Sequence, residues 1–182
     1  MTFGIVLCLA VHGMHSIGRA QSYELISTGL GGVPANGDSG LPVMTPDMRF
    51  IAFSSNATNL VAGDFNGKRD IFVRDRALSV THRISTDQFD LEIQFDTEAP
   101  TLSDDGRFVA FNRAVSGVFL KDRLQGTLTF HNPNNERSHT PWLTPDGSHL
   151  YYLYSFLGPT EGFLVRQDVS TGSTMFLWND YM

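Results

Sequence analysis

Apolar residues in this chain come in short runs, each set off by a turn-forming cluster, and the arrangement occurs three times. LPVMTPDMRFIAF (41–53), APTLSDDGRFVAF (99–111) and TPWLTPDGSHLYY (140–152) each carry a proline and, five residues later, an aspartate. An apolar run begins three residues beyond that aspartate in the first two copies and, after His149, four beyond it in the third. The copies start 58 and 41 residues apart, a period that marks a repeat architecture. In the second copy Ser103-Asp104-Asp105-Gly106 is turn chemistry: Ser and Asp side chains accept from backbone amides, and Gly supplies a positive φ. The run Arg107–Phe111 then predicts a strand with apolar residues on both faces, so both faces must be covered.

Further strands are predicted downstream of each copy. The second gives 117–122 and 127–130, the first gives 50–53, 71–75 and 80–84, and the third gives 150–153, 163–166 and 175–178. Four strands per unit with two-sided inner strands predict an all-β chain, a partial β-propeller of about three four-stranded antiparallel blades. The blades fall at 41–86, 99–131 and 140–178, preceded by an outer strand (Tyr23–Ser27) and linker within 21–40. Each blade is too small to bury its own faces and must lean on its neighbours. Three blades are expected to leave two open apolar flanks, more than a stable monomer tolerates. The chain therefore reads as a truncated ring, as half of a homodimer that completes one, or as a piece of a longer gene product.

The segments SDDGRFVAF, TPDGSHLYY and GDFNGKRDIFVRDR resemble the TolB-like β-propeller repeat, the Pro-Asp relative of the WD repeat, over roughly residues 22–178. The WD signature itself is absent around Trp142 and Trp178. Met48 stands where the family has Gly; a non-Gly residue at positive φ costs on the order of 1–2 kcal/mol, so the first turn is expected to be reshaped. The resemblance implies a bacterial periplasmic or extracellular setting and a non-enzymatic module that binds a protein or cell-envelope partner. The alternative it leaves open is part of a propeller enzyme, such as a metal-dependent lyase acting on pectic oligosaccharides.

Composition narrows this further. Hydrophobic residues make up 41% and charged residues 18%, which suits a folded domain and not a disordered one. Formal charge is −6 with Arg and Lys scattered singly, so no nucleic-acid partner is indicated. Phe3–Val11 is an apolar run too short to span a bilayer as a helix. With Gly18-Arg19-Ala20 behind it, the run reads as a signal peptide over 1–20, cleaved before Gln21, with no membrane span in the mature chain. No Lys or Arg precedes it. The sole cysteine, Cys8, lies inside that leader, so the exported chain would hold no disulfide and no thiolate ligand.

No catalytic residue is assigned. Gly37-Asp38-Ser39-Gly40-Leu41-Pro42 imitates a serine-protease nucleophile segment, but too little chain precedes it to supply the catalytic His and Asp. Asp64, Asn66 and Asp70, in DFNGKRD, place oxygen ligands at positions 1, 3 and 7 of a short loop, a weak calcium pattern opposed by Lys68 and Arg69. Asp-x-Asn-Gly is also hairpin chemistry in its own right. His131 and His139 bracket a polar connector, with His82 and His149 elsewhere, and a transition-metal site would need these to converge. Arg74-Asp75-Arg76, Lys121-Asp122-Arg123 and Arg166-Gln167-Asp168 recur at one blade position, as blade-to-blade ion pairs or solvated edges. Asn56-Ala57-Thr58 is a formal glycosylation sequon.

Overall fold

The computed structural model describes residues 8–11, 22–113, 117–131, 137–155 and 162–177. Twelve strands build three antiparallel meanders. Blade one holds β3 (Ser39–Met44), β4 (Phe50–Ser55), β5 (Asp70–Asp75) and β6 (Val80–Arg83). Blade two holds β7 (Thr97–Leu102), β8 (Phe108–Arg113), β9 (Val118–Asp122) and β10 (Leu128–His131). Blade three holds β11 (Arg137–Leu143), β12 (His149–Ser155), β13 (Gly162–Asp168) and β14 (Thr174–Leu177). Ahead of them β1 (Cys8–Val11) pairs antiparallel with β2 (Ser22–Leu25), Cys8 opposite Leu25. The rest of the stretch read as a leader, and Trp178, lie outside the described residues. Among the described residues no helix is long and apolar enough to cross a membrane.

The repeated proline marks a bulge. Pairing between the first two strands of each blade slips at Gly40/Val43, Glu98/Thr101 and His139/Trp142. The residues before the prolines, Leu41, Ala99 and Thr140, sit at φ 51, 50 and 52°. A bulge leaves one residue unpaired, so proline's missing N–H costs no ladder bond there.

The repeated aspartate ties the next turn. Asp105 Oδ1 accepts from Ser103 Oγ at 2.6 Å and from the Arg107 amide at 2.9 Å, and Ser103 Oγ in turn accepts from the Phe108 amide at 3.0 Å. Asp47 with Thr45, and Asp146 with the Ser148 amide, repeat the arrangement. The Gly106 and Gly147 amides close their turns on Ser103 and Thr144. Met48 does the same on Thr45, at 2.8 Å and φ 57°. The first turn is thus not reshaped. Its strained methionine is held by the same two-sided bonding that holds glycine in the other copies.

Between blades one and two, Ala52, Ile71, Val73 and Ile84 pack against Val109, Phe111 and Phe119. Between blades two and three, Ala110, Val118 and Leu120 meet Leu143, Leu150, Tyr152, Tyr154 and Val165. The far face of blade one is not open. Ile51, Phe53 and Phe72, each at most 1% exposed, are sealed with Ile26, Ala57 and Leu60. Segment 26–35 does this by repeating segment 84–93: Thr28 bridges Pro34 as Thr86 bridges Glu92. Only one flank, that of blade three, remains uncovered among the described residues.

Candidate functional site

Of the candidate calcium ligands, Asn66 and Asp70 are bonded to each other, whereas Asp64 is bonded to neither and its buried Oδ1 has no hydrogen-bond partner. Asn66 donates its amide to Asp70 Oδ2 at 3.0 Å and to the Ile93 carbonyl at 2.9 Å, and its oxygen accepts from the Lys68 amide. Asp70 is fully buried and accepts from Ser85 Oγ at 2.5 Å. Burial pushes its carboxyl up to about 6 against those hydrogen bonds. Burial likewise raises Asp64, whose Oδ1 lies 3.7 Å from the Arg83 guanidinium that also binds Glu92 at 2.6 Å. Among the described residues no group of three or more His, Cys, Asp or Glu converges on a common point.

The other sequence candidates have structural roles. Ser39 is buried and donates to Ser55 Oγ at 2.9 Å. His82, His131 and His149 lie on β6, β10 and β12; the side chain of His139 lies outside the described residues. The recurrent charges divide: Arg76 pairs with Glu24 of β2, ahead of blade one, at 2.6 Å, and Arg166 stands on the outer face of blade three, whereas the aspartates bond within their own blades. Asp75 pairs with Arg49 at 2.9 Å and Asp122 with Arg107 at 2.7 Å, each inside its own blade. Both carboxylates also accept from the amides of the next hairpin, Ala77 and Leu78 or Leu124 and Gln125. Asp168 caps its turn through the Thr171 amide and the Ser170 hydroxyl. Strand-end aspartates therefore shape turns, and the adjacent Arg123 and Lys121 reach across. Arg123 stacks on Phe50 of blade one, 4.7 Å from the ring centre. Lys121 donates to the Thr86 and Asp87 carbonyls, each at 3.1 Å.

The open face of blade three is the distinctive surface. Cross-strand register places Val43, Ala52, Val73 and His82 in one row on the forward face of blade one, and Thr101, Ala110, Leu120 and Thr129 in the matching row of blade two. A small central alanine lets the next sheet approach closely. In blade three that row reads Trp142, Tyr151, Arg166 and Met175. Beside it runs Leu153, Leu164 and Leu177. Trp142 and Met175 are about half exposed, as is Leu153. Trp142 packs on Tyr151 with ring centres 5.4 Å apart. Trp, Tyr, Arg and Met are the residues that protein interfaces concentrate. This face emerges only when the register tells which of Tyr151 and Tyr152 points outward.

No protein-family model and no curated protein matches this sequence. Solved structures do. TolB from Acinetobacter baumannii is 20% identical, with a TM-score of 0.54 over 86% of this chain and 35% of its own. The fold is TolB-like. Oligogalacturonate lyase in complex with manganese is 14% identical, with a TM-score of 0.55 over 82% of this chain and 45% of its own. Porphyromonas gingivalis dipeptidyl peptidase 4 is 13% identical, with a TM-score of 0.56 over 82% of this chain and 26% of its own. At such identities the likeness is one of fold, and this chain spans about a third of the TolB chain.

Proposed function

We propose that this TolB-like propeller segment is an exported, non-enzymatic binding module that holds a protein on the open face of blade three. Its first partner is a second copy of the same chain. The row Trp142, Tyr151, Arg166, Met175, replacing the small and aliphatic rows of the other blades, carries the reading. Arg166 stands where Val73 and Leu120 stand in the other blades, so the face is poorly suited to another blade of the same type. An Arg beside aromatic rings suits stacking against a matching aromatic surface. Because blade one's far face is sealed, the two copies meet face to face on blade three and do not chain head to tail. Export rests on the apolar run Phe3–Val11 and the small residues before Gln21.

Light scattering on the full chain tests this. A mass near twice that of the chain is expected, and Leu153→Asp, at an already half-exposed site, returns it to a folded monomer. A monomeric wild-type chain, or a dimer indifferent to Leu153→Asp, overturns the assignment.

A further inference from the structure

The three interfaces along the chain are built from equivalent positions, and the last one is chemically different. Ile26 and Ile84 occupy the first two interfaces, and His131 takes that place between blades two and three. Phe53 and Phe111 give way to Tyr152. Lys121, which crosses to the Thr86 and Asp87 carbonyls and fills the interface between blades one and two, gives way to Gln167.

Glutamine is too short to make that crossing. Gln167 Nε2 turns instead to the Gly172 carbonyl of its own hairpin at 3.4 Å, and its Oε1 is buried with no hydrogen-bond partner. The side chain is only 7% exposed, so an unmet acceptor here carries a real desolvation cost. The same residue lines a cavity of about 280 Å³ together with His131, Tyr152, Tyr154, Thr174 and Phe176, among others. The Tyr154 and Phe176 rings meet edge to face, 6.2 Å apart. Burial pushes the His131 imidazole down to about 4, so it faces the cavity uncharged. No Asp, Glu, Lys or Arg lines the cavity among the described residues.

We propose that this cavity binds a single uncharged sugar ring, with an apolar ring face on the aromatic wall and a hydroxyl that donates to Gln167 Oε1 once the amide turns that sealed, unmet acceptor toward the ring. Aromatic surface supplies the apolar contact and the amide, hydroxyl and imidazole groups surround the ring edge without charge. The volume sits at the small end of ligand pockets, near 300 Å³. It therefore suits one ring and not an oligomer. The site is separate from the open face of blade three, since it lies on the opposite side of that sheet.

Saturation-transfer NMR on the full chain with D-glucose, D-galactose, N-acetyl-D-glucosamine, D-galacturonate and indole tests the proposal. At least one neutral hexose is expected to bind saturably, with a Kd on the order of a millimolar, and galacturonate at least tenfold more weakly. Gln167→Lys, which restores the residue type that fills the neighbouring interface, is expected to weaken hexose binding at least tenfold with an undiminished melting temperature. Phe176→Ala removes a ring that is 59% exposed and so spares the fold, and it is expected to weaken binding similarly. Failure of every neutral hexose into the tens of millimolar, preference for galacturonate or indole, or indifference to both substitutions overturns it.

Discussion

Met48 adopts φ 57° where Gly106 and Gly147 adopt 70 and 69°, in turns closed by the same bonds. The first copy therefore carries strain that the others avoid. Met48→Gly is expected to raise stability by up to ~1 kcal/mol, the relief of left-handed strain less the added chain entropy. Gly106→Ala is expected to cost at least ~2 kcal/mol, because its new Cβ would lie 2.3 Å from Phe50 Cδ2. Urea unfolding midpoints of the two variants, moving in opposite directions, check both.

Two buried groups set the acid response, with opposite signs. His131 titrates near 4 in the folded chain against an ordinary 6.5, so the unfolded chain takes the proton first. Its contribution is full above pH 6.5 and is lost as pH falls toward 4. Asp70 titrates near 6 against an ordinary 3.8, so the folded chain takes that proton first and stability rises as pH falls from 6 toward 3.8. Each effect is worth about 3 kcal/mol at full extent, so they nearly cancel between pH 4 and 6. The wild-type slope is then left to the carboxylates held below their ordinary range, Glu92, Asp122, Asp146 and Asp168 among them, which lose stability as pH falls. Relative to wild type, His131→Leu should become more stable toward acid, and Asp70→Asn less. Parallel slopes for the two variants would refute the pairing of signs.

At the scale of the element, the strand-end aspartates do two tasks together. Asp122 accepts from Arg107 and from the Leu124 and Gln125 amides, so it both joins β8 to β9 and starts the hairpin to β10. Asp122→Ala is expected to cost about 2–3 kcal/mol, most of it retained in high salt because the amide bonds are short-ranged. A loss that disappears in ~1 M salt would assign the whole effect to the ion pair. The strands themselves were legible, since turn clusters punctuate apolar runs and the proline-to-aspartate spacing fixes where each blade begins. What each strand face meets was not. Leu150, Tyr151 and Tyr152 form one apolar run, and the bulge at Thr140 settles pairing across β11 and β12. His131 reads as the first residue of a polar connector, yet it is the last of β10 and lies in the interface.

For the whole molecule the sequence predicted stacked four-stranded sheets and two bare flanks. The stacking holds, and one flank is covered because residues 26–35 repeat the linker that follows blade one. The repeat was hard to see since segment 84–93 shares little with 26–35 beyond Ile-Ser-Thr. Candidate chemistry was harder to judge: in DFNGKRD, hydrogen bonding within the fold occupies Asn66 and Asp70 but leaves Asp64 Oδ1 unmet, and the sequence shows neither. Surfaces made by alternate residues on separate strands leave no contiguous mark.

Ala52, Ala110 and Tyr151 occupy one equivalent position in consecutive sheets, and replacing each in turn by tryptophan tests the arrangement most directly. Ala52 and Ala110 are fully buried between blades, whereas Tyr151 lies on the uncovered face. Thermal unfolding should show cooperative folding lost in Ala52→Trp and Ala110→Trp, and a melting temperature within a few degrees of wild type in Tyr151→Trp. Three variants that respond alike would mean that the sheets are not stacked with their forward faces inward, or that the chain itself covers the forward face of blade three.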